Sequence, residues 1–526
     1  MSQTSGLLHP LRTPTFRNLI VADVVSDIGT FMQSVGAAWL MVSLNAGPLY
    51  VALIQTASSL PFFIFALPAG AIGDIADRRK LILFTETWMA CFATVLTVAT
   101  VTGHMTPLLL LILTFALSAG DAFESPTWRA VLPELVGKDD LASAAALNGI
   151  EFNLARAVGP ALAGFVIAAW NVATAFAINA ASFLGVLFVV ARWKRPTRKS
   201  TAPPETLGGA TAAAIRYVRY SPEIRTLFLR SGSVMFFASG LLALLPSLAH
   251  NLSKSPLTYG VLLGCFGFGA VAGAAMMQRG RARWSTEAII STGVVMFGLS
   301  TIAAGAVRSL PWLGVTMLTG GASWLIFISL FNVIVLNQTP DWVRARVLAV
   351  SMLIVQGAMA GGSAIWGALA AHIGVSETLM CAGVGILVAS SLALFLKLPD
   401  APADLTPLVH GKMPTILATN VADADSGPIL VTVEYVVLPG KEEHFLKAVH
   451  RRERLRRRDG AYRWGIFRDL GSIDRYVETF LVDSWAEHLR QHQRSTQADR
   501  AVGEEIDKFV TGTPTVRHMV YALDQE

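Results

Sequence analysis

The chain has 526 residues, 53% of them apolar and only 15% charged, with a formal net charge of +6. A mean hydropathy of +0.52 excludes an ordinary soluble globular protein, which would need an improbably large continuous core. The three cysteines, Cys91, Cys265 and Cys381, stand alone in separate apolar runs; they lack the spacing of a metal site or a disulfide framework and read as packing residues.

In chain order, the first fifteen residues hold Leu7 and Leu8 but no apolar core and no small-residue cleavage site, so the first span is expected to be its own insertion signal. Twelve candidate spans follow, at 16–43, 51–72, 81–102, 107–123, 144–169, 171–192, 224–248, 257–277, 287–307, 311–337, 347–371 and 377–397. Each approaches or exceeds the roughly 20 apolar residues that cross a bilayer. Alternate loops carry the cations. One set holds Arg12 and Arg17, Arg78 to Lys80, Arg129 and Lys138, the Arg192–Lys199 cluster, Arg279 to Arg283, then Arg344 and Arg346; the other holds only Lys254 and Arg308. The positive-inside bias puts both termini in the cytosol, as an even number of spans also requires.

The soluble pieces are a linker with an amphipathic helix (193–223), in which Ile215 and Val218 sit beside Arg216 and Arg219 as on a surface helix, a Pro- and Asp-rich tether (398–427), and a terminal segment (428–526) with 16 Lys/Arg against 16 Asp/Glu. That segment reads strand (429–438), helix (441–458), strand (462–468), strand (475–481), helix (484–508) and strand (516–522), an α+β domain large enough for its own core. It leaves an N-terminal six-helix bundle at 1–192 and a C-terminal one at 224–397.

The box Gly70-Ala-Ile-Gly-Asp-Ile-Ala-Asp-Arg-Arg-Lys80 ends the second apolar run in a cluster of cations. Its small residues admit a neighbouring helix, and Asp74, Arg78 and Arg79 suit the termini of adjacent helices, the chemistry of a gate. A shift of 203 residues carries Gly70 onto Gly273, Arg78 onto Arg281, Gly159 onto Gly362 and Gly164 onto Gly367. One offset serving distant segments indicates a parallel repeat, six spans followed by six.

GAIGDIADRRK resembles the loop between spans 2 and 3 of the major facilitator superfamily. LNGIEFNLARAVGP, TPDWVRARVLAV, RRRDGAYRWGIFRDL and DSWAEHLRQHQR resemble its transmembrane secretion effector branch, which is related to bacterial enterobactin exporters. The resemblance covers nearly the whole chain. It implies twelve helices in two pseudo-symmetric bundles, a proton-driven exporter in a bacterial inner membrane, a gate motif at Gly70, Gly73, Asp74, Asp77, Arg78 and Arg79, and an antiporter-like motif at Gly159, Pro160 and Gly164. The sequence departs from the family pattern at Ile75, where Arg is usual, at Ala116, near the place of a buried Arg, and at Ala155 and Ala163, where glycines are common.

Ionisable residues inside spans are costly and mark function. Asp23 and Asp27 share one face of span 1; repulsion and burial make protonation near neutral pH feasible, so they are candidate proton-coupling groups, against a structural ion pair. The repeat sets Asp27 opposite Arg230. Glu151 and Arg156 in span 5 form a second constellation, with Asn153 between them and with Asp121 or Glu151 as the expected partner of Arg156; binding of a substrate anion by Arg156 is the alternative. Glu86 is placed near the gate. Trp39, Phe62, Phe63, Phe65, Trp324, Phe327 and Gln356 are candidate cavity residues.

No nucleotide-binding loop is present, so an ion gradient is the expected energy source and no cofactor or metal is expected. The expected partners are an amphipathic small molecule, such as a siderophore or drug, and the bilayer, with dimerisation through the terminal domain and no nucleic acid. Uptake is the rival direction. The terminal domain resembles the ferredoxin-like antibiotic-monooxygenase fold, so a membrane-tethered enzyme is the rival class, although fold does not fix function. His488 and His492, four apart, could bind a metal but lack an evident third ligand.

Overall fold

The computed structural model describes residues 6–193, 207–398, 404–406 and 427–521. Among them are twelve helices long and apolar enough to cross a membrane. Spans 1 to 6 are Pro14–Ser43, Gly47–Ile75, Arg78–Val101, Pro107–Leu135, Leu141–Ala169 and Val172–Arg192; a linker helix occupies Leu207–Tyr220. Spans 7 to 12 are Pro222–Leu252, Pro256–Gly280, Thr286–Ala306, Leu310–Asn337, Asp341–Ile373 and Val375–Phe395. Most of the linker before Leu207 and of the tether lies outside the described residues.

Several helices outrun their apolar cores. Span 4, expected to stop at 123, continues to Leu135 through Asp121, Glu124 and Arg129. Those charges read as an exit from the bilayer, yet Glu124 and Thr127 are buried against neighbouring helices. A helix of 29 residues rises about 43 Å, beyond a hydrocarbon layer of about 30 Å. Side-chain caps set several starts: Asp77 accepts from the Lys80 N–H, Thr106 from Leu109 and Asn171 from Thr174.

Span 1 packs on spans 5 and 6, span 3 on spans 4 and 6, span 2 on span 4, span 9 on span 12, and span 5 crosses span 8. The 203-residue offset carries span 6 onto span 12 end to end. The repeat-related glycines also have corresponding neighbours. A Cβ on Gly159 would fall 2.7 Å from Phe31 Cβ in span 1, while one on Gly362 would strike Phe236 and Ser239 in span 7. Gly164 meets Gly260 of span 8, where an added Cβ would lie 2.8 Å from Cα; Gly367 meets Ala52 and Leu49 of span 2. Small residues thus let backbones approach wherever the two halves cross.

The terminal domain runs β1 (Ile429–Val436), α1 (Glu442–Arg458), β2 (Tyr462–Arg468), β3 (Arg475–Val482), α2 (Trp485–Arg494), α3 (Gln497–Asp507) and β4 (Thr515–Val520). Its sheet is antiparallel, in the order β2-β3-β1-β4. Alternation along β1 buries Ile429, Val431, Val433 and Tyr435 against Phe445, Val449, Phe480 and Ile506. The single helix expected over 484–508 is two helices. Thr496 starts the second with a capping box, its side chain and backbone engaging Asp499, and this local satisfaction of end N–H groups interrupts an otherwise continuous amphipathic pattern.

By backbone contacts the chain forms two compact units. The linker helix, the start of span 7 to Leu227 and residues 332–350 group with the terminal domain; the remaining span residues form the other unit.

Candidate functional site

The membrane-spanning unit gathers an acidic cluster from four helices: Asp23 and Asp27 of span 1, Glu86 of span 3, Asp121 and Glu124 of span 4, and Glu151 of span 5. Glu86, Glu124 and Glu151 are buried. Asp23 feels the charges of Asp27, Glu151, Glu124 and Asp121. Two contacts organise the cluster. Asp27 and Glu151 lie within hydrogen-bonding reach of each other, as do Glu86 and Glu124. Glu124 also accepts from the Thr85 hydroxyl at 2.7 Å. Both oxygens of Glu151, and Oε2 of Glu86, are buried without a donor among the described residues. Ionised carboxylates only accept, so two facing ones can bond only through a proton held between them.

Arg156 is the cation that faces Asp27, and its partners differ from those expected. Its guanidinium lies 4.7 Å from the centre of the Phe152 ring and 6.0 Å from that of Phe31, with Asp27 rather than Glu151 or Asp121 as its electrostatic partner. It forms no ion pair within 4 Å among the described residues; the aromatic rings of spans 1 and 5 provide its nearest support, as their quadrupoles allow. Asn153 points away, donating to the Gly149 carbonyl on an exposed face. Sequence spacing found Asp23, Asp27, Glu151 and Arg156, but missed the pairing of Glu86 with Glu124 and the hydroxyl of Thr85, because both depend on how spans 3 and 4 are rotated against each other.

Arg230 does not face Asp27. It is 8% exposed, clamps Glu287 of span 9 through two bonds of 2.7 and 2.9 Å, and donates to the Leu396 carbonyl at the end of span 12. The chain offered a nearer acid than the repeat did, so Arg230 ties three helix ends and lines no central cavity. Trp39 is likewise buried, edge-on to His250 of span 7 and stacked with Tyr259 of span 8. It belongs with Gly164–Gly260 and Gly367–Ala52 to the close approach of the halves at the ends of spans 1, 5, 7 and 11. Gln356 is half-buried in span 11.

The gate box works as a fastening within spans 1 to 6. Arg78 reaches the Ala130 carbonyl and pairs with Glu134 at 2.7 Å, both in span 4. Arg79 donates to the Val190 and Ala191 carbonyls at the end of span 6. The Val190 and Ala191 carbonyls belong to the last turn of span 6, where cations are favourable. A Cβ added at Gly70 would meet open space; Gly73 and Asp74 lie in the last turn of span 2, and only their backbone is described. Pro160 is buried inside span 5.

In the terminal domain, His488 and His492 gain a third ring, His518 of β4. The described residues nevertheless contain no group of three His, Cys, Asp or Glu arranged to hold a metal. Trp485 stands edge-on to His518 and tilted against His488, and burial, reinforced by its histidine neighbours, pushes His488 down to about 3, which keeps it neutral.

A family model described as "Transmembrane secretion effector" matches residues 5–525. The chain belongs to this family. The staphyloferrin A transporter of Staphylococcus aureus is 22% identical over 70% of this chain and 93% of its own length. The multidrug efflux pump Tap of Mycolicibacterium fortuitum is 24% identical over 72% and 94%, and the enterobactin exporter EntS of Salmonella typhi 25% over 75% and 95%. Among solved structures, an inward-facing bacterial homologue of the human lysosomal transporter Spinster superimposes with a TM-score of 0.61 at 14% identity, covering 74% of this chain and 97% of that one. The secretion-effector family membership, the twelve apolar helices and this shared fold make the chain a membrane transporter of the major facilitator superfamily.

Proposed function

We propose that this transporter exports an amphipathic small molecule, of siderophore or drug character, in exchange for protons. The observation that carries the reading is the pair of donor-poor carboxylate contacts, Asp27–Glu151 and Glu86–Glu124, inside the spans. Each is a place where one proton changes the stability of a helix contact, which is what coupling a gradient to movement requires. The relatives named as a siderophore exporter and an efflux pump support the export direction. Two six-span bundles related by the repeat, meeting at the Gly164–Gly260 and Gly367–Ala52 crossings, supply the elements that rock against each other around the cluster. Cation-rich loops support a bacterial inner-membrane protein with cytosolic termini, and the terminal domain's βαββααβ order, a βαββαβ plan with its second helix broken at Thr496, supports a ferredoxin-like fold.

The test uses inside-out vesicles carrying an imposed proton gradient, challenged with catecholate and carboxylate siderophores and cationic dyes. Export predicts proton-dependent accumulation of at least one of them, lost in Asp27→Asn and Glu151→Gln. Accumulation unaffected by both substitutions overturns proton coupling through this cluster; transport only in the opposite sense overturns export.

A further inference from the structure

The linker helix and the turn between spans 10 and 11 are far apart in sequence, yet the terminal domain holds both. Tyr217 of the linker helix is 3% exposed; its hydroxyl donates to the Gln338 carbonyl at 3.2 Å, and its ring stands edge-on to Trp342 at the start of span 11, 5.9 Å between centres. Two arginines of the terminal domain close over this aromatic pair. The Arg458 guanidinium is 5.6 Å from the Tyr217 ring centre and that of Arg494 is 4.4 Å from the Trp342 ring. Arg216, one residue before Tyr217, bonds the Glu487 carboxylate at 3.2 Å and the Arg458 carbonyl at 3.3 Å.

The cations are fixed before they meet the rings. Arg458 is held by both oxygens of Asp459 and both of Asp499. Arg494 is held by Glu487 at 2.6 Å and by the Asp459 carbonyl. Buried guanidiniums with their charge already balanced lose little on meeting an aromatic face, and a desolvated cation–π contact is stronger than an exposed one. Glu487 serves both sides, since it bonds Arg494 within its own domain and Arg216 in the linker helix.

We propose that the terminal domain is an intramolecular clip, fastening the linker helix to the turn between spans 10 and 11 through Arg458 and Arg494 on Tyr217 and Trp342. The linker helix leads directly into span 7, and the turn joins spans 10 and 11. Any rearrangement that separates those segments must first open the clip, so the domain restrains three spans of the second half. This goes beyond the transport reading and stands on contacts that do not involve the acidic cluster.

The experiment keeps the full chain in its membrane and introduces a specific protease site into the tether at residues 407–421. After cleavage and washing, the unaltered terminal domain stays with the membrane fraction. Tyr217→Ala with Trp342→Ala releases it as a folded soluble fragment, and Arg216→Glu, which changes one exposed-side partner, raises the released share several-fold. In the uncut protein, hydrogen exchange in residues 212–220 and 337–342 is at least tenfold faster in the double variant. Loss of the domain from the cleaved unaltered chain, or its full retention in the double variant, overturns the proposal. Neither readout uses a transported substrate, so a failure here is separable from a failure of the export reading.

Discussion

Glu478 in the terminal domain and Glu151 in span 5 are both almost fully enclosed, at 0% and 4% exposure, and their surroundings are opposite. Glu478 accepts from the Tyr435 hydroxyl at 2.8 Å, the Trp464 indole at 3.0 Å and Arg456 at 3.3 Å. Burial alone would push its carboxyl up, but the charges of Arg456 and Arg452 and the bonds from Trp464 and Tyr435 outweigh it and hold the group below the ordinary glutamate range. Glu151 has no donor for either oxygen among the described residues and faces a second carboxylate. A buried acid given every partner it needs is structural. One left short, beside another acid, is the arrangement that the proposed proton coupling calls for. The second half of the membrane unit sharpens the contrast: the 203-residue offset puts Trp324 at the place of Asp121, Phe327 at that of Glu124, Ile354 at that of Glu151 and Met359 at that of Arg156. The Trp324 ring is tilted against those of Phe266 and Phe297. At these positions one half carries titratable groups and the other apolar side chains.

The same chemical change should therefore have opposite consequences in the two places. Glu151→Gln, and more so its combination with Asp27→Asn, is expected to lower gradient-driven transport by about tenfold or more, a barrier change above roughly 1.4 kcal/mol, while the protein inserts and unfolds as before. Initial rates in energised vesicles, read beside the thermal unfolding midpoint, check both halves of the statement. Glu478→Gln is expected to leave transport chemistry alone and destabilise the terminal domain by about 3 kcal/mol, because Arg456 loses its buried partner. Denaturant unfolding followed through Trp464 fluorescence measures it, and an unchanged midpoint would remove Glu478 from the structural class.

The ion pair of the second half should behave like Glu478. Arg230→Met strands Glu287, whose side chain is 26% exposed, and is expected to cost about 2 kcal/mol, less than a fully buried pair. Arg230→Met with Glu287→Met should recover most of that, since paired removal leaves no lone charge. A double variant as unstable as the single one would show that the three helix ends depend on the charges themselves.

The spans were legible because runs of about 20 apolar residues have few soluble uses, and the repeat was legible because Gly159 and Gly164 recur at a fixed offset as Gly362 and Gly367. Asp23, Asp27, Glu151 and Arg156 stood out as charges in an apolar background. What escaped was whatever depends on rotation about a helix axis. Glu86 read as part of the gate until spans 3 and 4 turned it onto Glu124, and Arg230 read as a partner for Asp27 until span 9 offered Glu287. The end of span 4 was misjudged because composition registers the charges of Asp121 and Glu124 but not that neighbouring helices bury Glu124. Thr496 broke a helix that periodicity alone would continue, since a cap is a local bond.

Acidification separates the terminal domain's own buried groups, with the smallest effect. Burial first, then the charges of His492 and His518, push His488 down to about 3, against the opposing bond from Gln491 and with Arg456 adding to the fall. A histidine lowered in the folded state binds its proton in the unfolded chain first, so its contribution is full above about pH 6.5 and is lost as pH falls from there towards 3. Glu478 is lowered too, and for a carboxylate that contribution is full above the unfolded value near 4.5 and is lost only below it. Between pH 6.5 and 5 the lowered histidines therefore act without the carboxylate, His488 contributing about 1.4 kcal/mol per pH unit at most. Hydrogen exchange of Phe445 and Val449 in the intact chain, corrected for intrinsic rates, should show this slope; His488→Phe should reduce it, while Glu478→Gln should lower the whole curve without changing the slope in that window. A slope that survives His488→Phe would assign the proton uptake to His492 or His518, whose rings are also lowered by burial, and would leave the carboxylate side of the comparison intact.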